Sequence, residues 1–175
     1  TILTSVMQFA MLPPQGIAQG AQPILSYNYG AKNVDRVKNT YKLLLKCCMT
    51  YSAIIWLFVM LFPSLFVSIF TPEPSLIEFA SKALRVYFSG MVLFGIQIAC
   101  QMTFVSLGKA GSSVIVAVVR KFVLLLPLIY IVPVFFEDKT TGVYTAEPIA
   151  DICAVAFTAI LFFFQFKKAL KNITN

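Results

Sequence analysis

The 175 residues are 59% hydrophobic and only 12% charged, with a formal net charge of +7 and no histidine. A soluble domain of this length carries about twice that share of charge, so the composition excludes an ordinary soluble enzyme or binding domain and fits an integral membrane protein. Without histidine the commonest metal ligand and general base is missing. Cys47, Cys48, Cys100 and Cys153 lie inside apolar runs with no CxxC spacing, which reads as buried inert thiols and not as a zinc site or disulfide framework.

Five apolar segments are long enough to cross a hydrocarbon core of about 30 Å, which takes roughly 20 helical residues. They cover about 1–27, 43–70, 77–107, 113–136 and 148–166. Sustained period-2 alternation, which a barrel requires, is absent. The expected fold is therefore an all-α polytopic membrane protein of about five spanning helices, with no separate soluble domain. The chain starts at Thr1 inside an apolar run, without a Met or a leader pattern. That start reads as the C-terminal piece of a longer protein.

The first segment carries an uncharged polar stripe. At about 100° per residue, Thr4, Gln8, Gln15, Gln19, Gln22 and Ser26 share one narrow face of an otherwise apolar helix. Side-chain amides are costly in lipid without partners, so this face should meet protein or water. It reads either as interhelical glue or as the lining of a solute pathway. Pro13 and Pro14 are expected to break the helix, Gly16–Gly20 matches GxxxG for a close helix contact, and Gly30 suits a left-handed cap.

A basic stretch follows, with Lys32, Arg36, Lys38, Lys42 and Lys46 leading into the second segment, which Pro72 and Pro74 terminate. On the third segment Gln97 and Gln101 stand one turn apart and share a face with Gly90 and Phe94. They read as cavity residues alongside Gln15, Gln19 and Gln22, or as a satisfied pair of interhelical amides. Gly108 to Gly111 forms a tight turn. In the fourth segment Arg120 and Lys121 are expected just below the membrane interface, either snorkelling or forming a gating salt bridge to a group outside this chain. Pro127 and Pro133 interrupt that segment, and Pro148 fits the first position of the fifth. Asp151 is the one carboxylate within a spanning segment; it reads either as an ion-coupling group or as a structural acid favoured by a helix N-terminus.

Charge sets the expected orientation. Three regions on one side hold 11 of the 14 Lys and Arg, counting Arg120 and Lys121, whereas the other side holds Lys82, Arg85 and Lys139 with six of the seven acids, Glu73, Glu78, Glu137, Asp138, Glu147 and Asp151. The positive-inside rule puts the Lys32 loop and the C-terminus in the cytoplasm. The positive charge then belongs to topology and anionic lipid, not to nucleic acid. The acceptor pattern at Asn172–Thr174 would lie on the same side and stay unglycosylated. No histidine, carboxylate pair, GxSxG or phosphate-cradling loop suggests catalysis, and no cofactor is expected.

The stretch G-I-A-Q-G-A-Q-P-I-L-S-Y-N-Y-G-A-K-N-x-D-R-V-K, Gly16 to Lys38, resembles the eighth helix and following loop of bacterial multidrug and toxic compound extrusion (MATE) transporters, particularly their MepA-like branch. Gln101–Lys109, Arg120-Lys121 with Pro133, and Ala146–Asp151 fit the same family in order. The resemblance implies twelve helices in two six-helix lobes. This chain would supply helices eight to twelve of the second lobe and need the missing N-terminal lobe as its partner. It implies bacterial plasma-membrane efflux of small organic, often cationic compounds in exchange for H⁺ or Na⁺ by alternating access. The family's coupling carboxylates lie in the first lobe or in helices seven and ten, and the segment corresponding to the tenth here has no central acid. A related flippase for lipid-linked or polysaccharide substrates would ask for a longer, more basic cavity. A non-transporting membrane-binding subunit and a membrane enzyme are the readings from other classes.

Overall fold

The computed structural model describes residues 2–135 and 139–174. Thr1, Phe136, Glu137, Asp138 and Asn175 lie outside the described residues, as do the side chains of Lys139, Thr140, Thr141, Tyr144, Ile173 and Thr174; the expectations placed on Glu137, Asp138, Lys139 and, through Thr174, the Asn172–Thr174 acceptor pattern fall there. The described residues form helices throughout, with no strand.

Helix α1 spans Ile2–Gly30 and runs unbroken through Pro13, Pro14 and Pro23. The expected break at Pro13–Pro14 is therefore not found; neighbouring helices hold the segment in register, as membrane helices allow. The left-handed residue after it is Lys32, with φ 57°, and not Gly30. Asn33 N–H reaches back to Asn28 O at 2.9 Å, which closes the end, and Asn33 Oδ1 then accepts from Arg36 N at 3.1 Å to cap the next helix.

Helix α2 covers Val34–Leu61, starting before the apolar run because its first turns carry the basic residues. It ends ahead of Pro63, which opens the short α3, Pro63–Ser68. Helix α4, Pro74–Tyr87, and α5, Phe94–Ser106, form one bent span with a 48° break between them. The turn at Gly108, φ 71°, leads into α6, Ala110–Val118. A π-helical stretch, Val119–Leu125, follows, in which Leu126 N–H bonds Lys121 O. Pro127, at the start of α7 (Leu126–Ile131), lacks an N–H and crowds the preceding turn; the widened turn accommodates it. Helix α8, Lys139–Thr174, contains Pro148 in its interior, not at its first position.

Three helical stretches, Val34–Leu61, Ala110–Phe135 and Thr145–Asn172, are long and apolar enough to cross a membrane, and the bent α4–α5 pair makes a fourth. Helix α1 is long enough at 29 residues, but its amides make it less apolar.

Two apolar clusters tie the bundle together. One gathers Val6, Met11, Val59, Leu84, Phe88 and Phe94 toward the Glu73 end. The other gathers Leu25, Val37, Leu44, Ala99 and Leu170 toward the basic end, near Lys32 and Lys167. Close approaches fall where the sequence pattern gave no warning. A Cβ on Gly95 would sit 2.8 Å from the Cys48 backbone, and one on Gly142 would sit 2.6 Å from Pro133 Cα. At Gly16 and Gly20 an added Cβ meets nothing within 4 Å, so within this chain the GxxxG pattern makes no helix contact. Cys48 and Cys100 are buried as expected, whereas Cys47 and Cys153 are exposed on the bundle surface.

Candidate functional site

A cavity of about 690 Å³ opens where α1, the α4–α5 bend, the π stretch and α8 converge. Its wall includes Thr4, Gln8 and Gln15 from α1, and Gln97 and Gln101 from α5. Thr4 to Gln15 is about 16 Å of helical rise, so the amides line the chamber along its depth. Met7, Met11, Tyr87 and Phe94 supply its apolar and aromatic surface. Gln97 is 3% exposed, and its Oε1 has no hydrogen-bond partner among the described residues. Gln97 and Gln101 thus share the cavity wall, with the Gln97 oxygen buried behind it.

The polar stripe of α1 divides by depth. Gln15 lines the cavity, whereas Gln19 is exposed and Gln22 half-buried, both outside the wall. The helical period gave them one azimuth, but the cavity does not extend that far along α1. Further on, Ser26 Oγ donates to Ser106 O at 3.0 Å and ties α1 to the end of α5. One end of the stripe is lining and the other is glue.

Arg120 and Lys121 find their partners within this chain, not in a group outside it. Arg120 lies ten residues into the helical stretch that starts at Ala110, about 15 Å of rise along it. Its Nε and Nη2 both reach Asp151 Oδ1, at 2.8 Å and 2.7 Å, and its guanidinium carbon lies 4.5 Å over the centre of the Phe94 ring. The Asp151 side chain is 3% exposed. A carboxylate so removed from water persists as a charge only with such a partner. Asp151 is thus the counter-ion of Arg120, not a free group at a helix N-terminus. Lys121 Nζ is a looser 3.9 Å from Glu147 Oε1 and more than half exposed. Both ion pairs close within this chain. Tyr87 and Glu147 both line the cavity beside these pairs.

Sequence reading missed Glu147 and Tyr87 as parts of this site. A cue was present for Glu147: with Asp151 at i+4 it puts two carboxylates on one face of α8, opposite two adjacent cations. Among the described residues no cluster of ligating side chains could hold a metal ion.

The fold and the amide-walled chamber define a polytopic helical membrane protein with a solute-sized cavity inside the bundle. The chain belongs to the MatE family, whose model matches residues 1–131. It is similar to the multidrug export protein MepA of Staphylococcus aureus (strain MRSA252), 25% identical over 158 residues, which are 90% of this chain and 34% of that protein. MepA of Staphylococcus haemolyticus (strain JCSC1435) is 24% identical over 166 residues, 94% of this chain and 35% of that protein. The chain spans about a third of the length of these curated relatives. The MATE multidrug transporter DinF-BH, solved as a ligand complex, is 35% identical, with a TM-score of 0.81 over 90% of this chain and 35% of its own. A MATE crystal structure in the bent conformation superposes at a TM-score of 0.90, covering 100% of this chain and 38% of its own; at 19% identity it shows the shared fold alone.

Proposed function

We propose that the chain is the C-terminal part of a secondary active multidrug efflux antiporter, helices eight to twelve of a two-lobed protein. That protein exports small organic, often cationic compounds in exchange for H⁺ or Na⁺ by alternating access. The observation that carries this reading is the amide- and aromatic-walled cavity, whose charged lining residues Arg120, Lys121 and Glu147 are held in ion pairs within the chain. Amides and rings fix no single charge pattern, which suits loose recognition of varied cations. The ligand complex of DinF-BH, itself named a multidrug transporter, supports a bound small-molecule substrate for this fold.

Gln15, Gln97 and Gln101 contact substrate in this reading. Asp151 is committed to Arg120, so the coupling ion acts at carboxylates that precede this chain in the full-length parent. The Arg120–Asp151 pair locks the π stretch to α8 and holds the cavity wall in place. The positive-inside distribution favours a cytoplasmic C-terminus in a bacterial plasma membrane. Even without Arg120 and Lys121, the basic end keeps Lys32, Lys38, Lys42, Lys46, Lys109, Lys167, Lys168 and Lys171 with Arg36. A flippase for anionic lipid-linked sugars would want uncompensated cations in the cavity; here each cation has its carboxylate.

The test is ethidium efflux from drug-sensitive cells expressing the full-length parent, with the proton and sodium gradients collapsed separately. Loss of efflux with one gradient names the coupling ion. Efflux that survives the loss of both, or no efflux under any condition, overturns the antiporter reading.

A further inference from the structure

A second cavity, of about 530 Å³, lies between α2, α5 and α8 near the basic end and shares no lining residue with the first. Its chemistry differs at its two ends. Lys38 and Lys42 from the first turns of α2, and Lys167 from the last turns of α8, put three lysines in the wall of one groove. Beyond them the wall is aromatic and aliphatic. Tyr41 stacks on Phe162 with ring centres 4.6 Å apart, and Phe162 stacks on Phe166 at 4.8 Å. The Tyr41 hydroxyl is turned against Cys100 Sγ at 3.5 Å, which leaves the ring as groove floor. From Lys167 to Ala159, both in the wall, is about 12 Å of rise toward the middle of the span.

Among the described residues no carboxylate lines this groove and none of its three lysines is in an ion pair. A molecule complementary to both ends is an amphiphile: an anionic head for the lysines and a hydrocarbon chain for the rings. We propose that the groove is a binding site for an anionic phospholipid, with its phosphate held by Lys38, Lys42 and Lys167 and one acyl chain lying along Phe162 and Phe166. Basic pockets between spanning helices at the cytoplasmic face take such headgroups, and each nearby cation strengthens the attraction. The stacked rings form a preorganised floor, so ordering the site costs little. The site requires the membrane setting of the fold but not the efflux activity.

The test is native mass spectrometry of the detergent-purified full-length parent, titrated with phosphatidylglycerol or with phosphatidylcholine of the same acyl chains. Retention should favour phosphatidylglycerol, on the order of tenfold or more from three cation contacts. The K38Q/K42Q/K167Q variant should lose that preference. K46Q/K168Q/K171Q makes the same charge change outside the groove and should keep it. Ala159→Phe fills the groove without touching a charge and should reduce phosphatidylglycerol adducts. Equal retention of the two lipids, equal loss in both triple variants, or no effect of Ala159→Phe would each overturn the proposal. So would the absence of any lipid adduct, which would mean that another part of the parent chain fills the groove.

Discussion

Cutting the Arg120–Asp151 pair at either end should destabilise the protein more than cutting both ends together. Two guanidinium nitrogens converge on one carboxylate oxygen, at 2.8 Å and 2.7 Å, and the side chains are 18% and 3% exposed. Arg120→Leu strands a carboxylate that water cannot reach; removing one partner of such a pair costs about 3–5 kcal/mol. Asp151→Leu strands a guanidinium that keeps partial solvent access and its contact with Phe94, 4.5 Å to the ring centre. That contact retains roughly 0.5–2 kcal/mol, so the loss falls toward the low end of the same range. Arg120→Leu/Asp151→Leu removes both charges and their desolvation, and should lie between neutral and about 1–4 kcal/mol more stable than the parent. The assay is thermal unfolding of the detergent-purified full-length parent, read by loss of its monodisperse chromatographic peak. Both single variants should lose several degrees of midpoint, and the double variant should recover them. A double variant as unstable as the sum of the singles would refute the idea that each charge is buried for the sake of the other.

Gly95→Ala should cost about 1–3 kcal/mol in the same assay, because its Cβ would meet the Cys48 backbone at 2.8 Å and α2 would have to shift. Gly111→Ala, with nothing within 4 Å of the new Cβ, should be neutral or gain up to about 1 kcal/mol of helix propensity. Similar losses at both positions would show that α2 and α5 are not in the described contact. Lys32→Gly should leave stability unchanged or raise it by about 1 kcal/mol, since φ 57° strains a side-chain-bearing residue; a clear drop in midpoint would argue against that turn. Gln97→Met removes a buried carbonyl that lacks a partner and should raise the substrate-free midpoint by an amount worth about 1–3 kcal/mol, while ethidium efflux falls. A lowered midpoint with efflux intact would mean that Gln97 is structural glue.

Much of the fold was legible because membrane spans announce themselves by length, hydropathy and flanking lysines. The bend between α4 and α5 was not, since it falls at Phe88 to Gly90 with no proline to mark it. Proline misled in α1, where neighbouring helices hold Pro13 and Pro14 in a continuous helix. The stripe on α1 was visible from its period, but a period fixes azimuth and not depth, and so it could not separate Gln15 from Gln19. The partner of Arg120 was hidden for a related reason. Counting charges near Lys109 groups it with the basic end, whereas the carboxylate that holds it lies 31 residues further along the chain. Pairings at that separation leave no local pattern. The same holds for Gly95, which needs no partner glycine at a fixed spacing to let Cys48 approach.

The central claim is that the amide-walled cavity is where substrate sits, and side chains sharing the stripe but not the cavity test it most directly. Ethidium efflux would be compared, at matched membrane levels, for the full-length parent, Gln15→Leu/Gln101→Leu and Gln19→Leu/Gln22→Leu. The account predicts a marked loss of efflux in the first pair and near-parent efflux in the second. Equal losses, or a loss confined to Gln19 and Gln22, would contradict it.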